Sequence, residues 1–126
     1  MANQIAGSQA KSEIYETVDR ILYGFLDHPE LRKYFYDGAD LPDLSSEADP
    51  DNVRERVLTF AELFADVIER GMDTYRSIDP AADFQSPMED YARDMLATSP
   101  ALRYWVREHP GWWRNVESWI GELRGE

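Results

Sequence analysis

The chain has 126 residues, 43% of them hydrophobic and 13% aromatic, enough for one domain that buries roughly two thirds of its unfolded surface. Twenty-five acids against thirteen bases leave a net charge of −12, which argues against binding along a phosphate backbone or to anionic membranes, since both need clustered Lys and Arg. The absence of cysteine excludes disulfides, thiolate metal sites and thiol nucleophiles and suits a reducing cytoplasm, where the protein is expected to reside.

Residues 1 to 8 read as a loose tail, lacking the basic start and apolar run of a signal peptide, and 9 to 126 as a single helical domain. The first helix carries Ile14, Val18, Ile21, Leu22 and Phe25 at amphipathic spacing. It should end near Asp27, because His28 precedes Pro29 and is pushed out of helical geometry. Pro29 suits the first position of a short second helix, PELRKYFY, which Asp37-Gly38 stops. Asp37 to Asp51 holds six acids, two prolines and no base. It reads as an exposed connection, since Pro42 and the missing bidentate Glu spoil EF-hand spacing.

The chain is organised around Val57 to Tyr75. From Val57 to Ile68 nine of twelve residues are apolar, and the exceptions, Thr59, Glu62 and Asp66, fall on one helical face. Glu55, Glu69 and Asp73 extend that acidic seam. A helix apolar around most of its circumference must be wrapped by neighbours. Its start is read at Asp49-Pro50 or Asp51 and its stop at Ser77 to Pro80.

Ser86-Pro87-Met88-Glu89 has the form of a capping box for a fourth helix with Met88, Tyr91, Met95 and Leu96, ending at Thr98. Ser99-Pro100 opens a short fifth helix, PALRYWVRE. A final helix after His109-Pro110-Gly111 carries Trp112, Trp113, Val116, Trp119, Ile120 and Leu123. No strand pattern of useful length occurs. The expected fold is all-α, a bundle of four main helices plus two short proline-started ones. The short helices echo each other: His28-Pro29-Glu30-Leu31-Arg32 and Ser99-Pro100-Ala101-Leu102-Arg103 share P-x-L-R, read as coincidence or repeated capping chemistry rather than duplication.

The stretches HPELRKYFYDG, AELFADV and SPALRYW, followed by HPGWW, resemble a family of small bacterial all-helical proteins of unknown function, over about residues 15 to 113. Some of its members carry an N-terminal membrane anchor that this chain is read to lack. The resemblance implies a compact helical domain and no established activity, and it carries no catalytic residue onto any position here.

Two constellations could carry function. Glu62 has Leu58, Thr59, Ala65 and Asp66 as its helical neighbours, so no base on its own helix answers it. Arg32 and Arg103, at matching places in the short helices, are expected to reach Glu62 and Asp66 in a partly buried ion network. Glu62→Ala should then destabilise well beyond an ordinary surface substitution. The second constellation is aromatic: Tyr34, Tyr36, Tyr104, Trp105, Trp112 and Trp113 cluster on the short helices and their flanks, where core packing accounts for most of them and the remainder form an expected interaction surface or line a small-molecule groove. Neither Tyr34-Phe35-Tyr36 nor Trp112-Trp113 can face one core entirely, so each should leave a ring at an edge.

The leading reading is a non-enzymatic interaction module that binds a protein partner or itself, with a homodimer as the default, no nucleic acid, no membrane and no cofactor. A second is a small-ligand binder or enzyme, its pocket between the short helices and the Glu62/Asp66 seam, with those carboxylates as an acid–base pair. A third is an acidic nucleic-acid mimic, weakened by acids spread over every helix. No metal site is expected: His28 and His109 are the only histidines and make no Glu-x-x-His pattern.

Overall fold

The computed structural model describes residues 2–42, 51–78 and 87–123. Helix α1 (Ala2–Asp27) leads through a 3-10 turn (Pro29–Leu31) into the four-residue α2 (Lys33–Tyr36). The long α3 (Val53–Ile78), α4 (Pro87–Thr98), α5 (Pro100–Arg107) and α6 (Arg114–Leu123) follow. The fold is all-α, with no strand among the described residues. None of their helices is long and apolar enough to cross a membrane.

Helix α1 takes in residues 2–8, which the sequence reads as a tail. It buries Ile14, Val18, Ile21 and Phe25 and leaves Leu22 half-buried. It closes where Pro29 requires, the His28 N–H still reaching the Gly24 carbonyl at 3.1 Å. Most of the acidic connection, the Asp49-Pro50 start and the Ser86 cap lie outside the described residues. The final helix begins at Arg114, so Trp112 and Trp113 belong to the turn before it.

Helix α3 is the centre. It packs against α1, the 3-10 turn, α4, α5 and α6. Val57, Ala61, Phe64, Ala65, Val67, Ile68 and Met72 are buried on its inner arc. Burying a phenylalanine such as Phe64 or Phe35 contributes about 1.5–3 kcal/mol, so the aromatic layer is a large part of what holds the helices together. In that layer Phe25 stacks on Phe60 at 4.5 Å between ring centroids, and Phe35 meets Phe64 at 5.0 Å. Helices α1 and α3 come so close that a Cβ on Gly24 would lie 2.8 Å from the Phe60 ring.

The seam of α3 keeps its polar face outward. Thr59, Glu62, Asp66 and Asp73 are exposed and Glu69 is half-buried. Leu63 shares that outer arc at 43% exposure, so the apolar wrapping is less complete than nine apolar residues in twelve imply.

Candidate interaction surface

The seam meets α6 rather than the short helices. Helix α6 is preceded by Trp113, which has no side chain able to accept from the free N–H groups of the first turn. Glu69 supplies the acceptor from α3. One of its carboxylate oxygens takes the Asn115 N–H at 2.9 Å and the Val116 N–H at 3.4 Å, and the other takes the Asn115 side-chain amide. Asp73 accepts from the same amide at 2.9 Å. A carboxylate at a helix N-terminus is also favoured by the helix dipole, by about 0.3–1 kcal/mol.

Asp66 accepts from the indole N–H of Trp113 at 2.8 Å. Trp113 is therefore buried, 4% exposed, and Tyr34 likewise at 8%. Both were expected on an interaction surface, and both are core residues. The edge rings are Tyr36, which is half-buried, and Trp112, 61% exposed.

The expected ion network among Arg32, Arg103, Glu62 and Asp66 does not form. Arg103 Nη1 donates to the carbonyls of Leu96 and Ala97 at 2.7 and 2.8 Å, closing the C-terminal end of α4. Its burial, and then the charge of Arg107, lower its pKa below the usual guanidinium value. Arg32 lies over the Tyr36 ring, 4.4 Å from the centroid. Asp66 is committed to Trp113, and Glu62 is exposed at the seam. The physical reason is reach: each arginine finds an acceptor or a ring on its own short helix or the helix before it.

Beside the seam the aromatics assemble into a ladder. His109, Pro110, Gly111 and Trp112 make a tight turn, with the Trp112 N–H donating to the His109 carbonyl at 3.2 Å. Pro in its second place and Gly111 at φ +87° in its third are the signature of a type II turn, where only glycine adopts the third position without strain. The turn brings the first and fourth side chains together. The His109 ring lies 4.2 Å from Trp105 and 4.3 Å from Trp112, tilted to each by just over 40°. His109 Nδ1–H donates to the Trp105 carbonyl at 2.7 Å. Trp112 meets Trp113 edge-on at 5.4 Å. The Gly111 N–H donates to Glu117 at 2.6 Å. Trp112 thus stands exposed on a backed, hydrogen-bonded support. Tyr104, half-buried, is covered by the Arg54 guanidinium at 5.0 Å.

The two short helices touch. Ser99 is fully buried; its hydroxyl donates to the Tyr34 carbonyl at 2.6 Å and accepts the Leu102 N–H at 3.1 Å. On the far side of α2, the Tyr36 and Tyr91 hydroxyls share a short hydrogen bond beside a hollow of about 210 Å³ lined by Phe35, Tyr36, Tyr91, Asp94, Met95 and Thr98. Burial, and then the bond to Tyr36, raise the Tyr91 pKa far above the ordinary phenol value. A second hollow of about 220 Å³ lies between α1 and α3. Neither is lined by Glu62 or Asp66, so neither is the pocket expected beside the seam.

The sequence pointed to Trp112 and Trp105 but missed Tyr91 and the ladder's central His109. Pro110-Gly111 after His109 is the signal that could have found the turn. Comparisons with protein-family models, with characterised proteins and with solved structures give no match. The functional reading therefore rests on geometry.

Proposed function

We propose that this protein is a non-enzymatic interaction module, one helical domain of four main and two short helices, that engages a protein partner or a second copy through the face carrying Trp112. The observation behind this reading is the exposed Trp112 ring set on the His109–Trp105 ladder. A large side chain held in one place by its neighbours loses little entropy on binding, and Trp is among the residues that dominate binding energy. Half-buried Trp105 lies behind it across the His109 ring. Native mass spectrometry of the full chain and of Trp112→Ala tests the self-associating form: a dimer lost in the variant supports it. Pull-down from lysate with the same pair tests a heterologous partner, and complexes indifferent to the variant count against this face.

A second reading, small-ligand binding, draws on the hollow between α2 and α4. Two facing hydroxyls share one proton between them, so the tyrosine pair retains a further O–H in a hollow that Asp94 also lines. Titration with a small aromatic amide such as benzamide, followed by NMR, would show shifts confined to Tyr36, Tyr91 and Met95.

A further inference from the structure

The charges around the ladder bear on what it meets. Asp66 is fixed to the Trp113 indole, Glu117 to the N–H of Gly111 beside Trp112, and Glu62 stands on the same exposed seam one helical turn before Asp66. Arg107 lies on another flank of α5, close enough to Arg103 to depress its pKa. Arg114, at the exposed start of α6, is a base at the border. The side chains that the structure fixes against the ladder are thus carboxylates, Asp66 on Trp113 and Glu117 on the Gly111 N–H. Exposed Arg70, four residues after Asp66 on α3, joins Arg114 among the nearby bases, in a chain of net charge −12. Two of these carboxylates already have a donor; Glu62 is exposed.

We propose that this face docks a cationic, arginine-bearing segment of another protein, with one guanidinium stacked on Trp112 and a neighbouring base paired with Glu62. The inference rests on the interaction-module reading and names its partner. An exposed indole is the best of the aromatic faces for a cation, and arginine both stacks on it and pairs with carboxylates in a plane. A neutral apolar partner would strip water from Glu62 without replacing it. A second copy docking by twofold symmetry would bring the same carboxylate-bearing face against itself, since such an interface uses one patch twice. The field of the whole chain also draws a basic segment in and repels an acidic one.

The test uses the full chain and three synthetic twelve-residue peptides, alternating Gly with Arg, Lys or Gln, each followed by tryptophan fluorescence and calorimetry. The Arg peptide should bind, the Lys peptide more weakly, and the Gln peptide not at all. Binding should weaken with added salt. Trp112→Ala should lower affinity for the Arg peptide by roughly tenfold or more, although it leaves every charge in place. Glu62→Gln should lower it by about threefold, an exposed-pair effect, with the melting temperature unchanged.

Equal binding of the Arg peptide by wild type and Trp112→Ala would overturn the proposal, reducing the effect to unspecific attraction by net charge. So would no binding at all. If the peptides fail while native mass spectrometry shows a Trp112-dependent dimer or pull-down shows a Trp112-dependent complex, the interaction module stands and only the cationic partner falls. If all these measurements fail together, both fall.

Discussion

The two proline-started helices begin from the same four-letter pattern and end in different structures. After Ser99, α5 runs for eight residues with a side-chain cap, the Ser99 oxygen accepting from Leu102 N–H. After His28, which makes no side-chain cap bond, the chain turns as a 3-10 segment over Pro29–Leu31 and restarts at Lys33 for only four residues. The arginines diverge as well. Four residues after Arg32 comes Tyr36, whose ring it covers; four residues after Arg103 comes Arg107, which repels it. Arg103 turns instead to the carbonyls at the end of α4. Proline can start a short helix, but the residue before it and the residue one turn after the arginine decide how long the helix runs and where the guanidinium goes.

Breaking the better-capped unit should cost most. Ser99→Ala removes a cap, worth about 0.5–2 kcal/mol, and leaves the Tyr34 carbonyl without its buried donor, worth about 1–3 kcal/mol. Urea unfolding should therefore show a loss of roughly 2–4 kcal/mol. A loss under about 1 kcal/mol would mean that the Tyr34 carbonyl finds another donor and that the link between the two short helices is dispensable.

The arginines come next. Arg103→Ala gives up two charge-assisted bonds to the last carbonyls of α4, partly screened by solvent, for a loss of about 1–2 kcal/mol. Arg32→Ala gives up one stacked cation on a half-buried ring, about 0.5–1 kcal/mol. The pair measured side by side sharpens the comparison: equal losses would show that the different partners of the two arginines do not matter to stability.

How much of this was legible follows from the range of each interaction. Helix ends written as His28-Pro29 and Ser99-Pro100 were readable because the restriction before proline is local. The burial of Ile14, Val18, Ile21 and Phe25 was readable because it repeats with the helical period. The bonds from Asp66 to Trp113 and from Glu69 to Asn115 join residues more than forty positions apart, and no spacing rule encodes them. Arg103 was a different kind of miss. Its acceptors lie six and seven residues back, and the unpaired carbonyls that end every helix were reason enough to look there before reaching for a distant acid.

A pH titration separates the two short helices in another way. Helix α2 is fastened to α4 by the Tyr36–Tyr91 bond, and burial holds Tyr91 neutral well above the ordinary phenol range. The raised value means that the folded state keeps its proton where the unfolded state loses it. The contribution is therefore full below about pH 10 and declines as pH rises beyond it. Stability measured above pH 10 should fall more steeply in wild type than in Tyr91→Phe, and parallel declines would remove Tyr91 as the cause. Near neutral pH the same variant should lose only about 0.5–1.5 kcal/mol, the net worth of one hydrogen bond.

The smallest effect is expected at Glu62, and it reverses the expectation drawn from sequence. If Arg32 and Arg103 had both reached the seam, the two short helices would have been equivalent braces on α3, and Glu62→Ala would have broken both. Each arginine is engaged elsewhere, and Glu62 is exposed on the outer arc of α3. Its replacement by alanine should shift the melting temperature by no more than about a degree. A markedly larger drop would restore the seam as a shared anchor for both short helices and would undo the asymmetry between them. A null shift makes Glu62 a carboxylate that the fold does not need, which is the condition for attributing any loss of partner binding in Glu62→Gln to recognition rather than to unfolding.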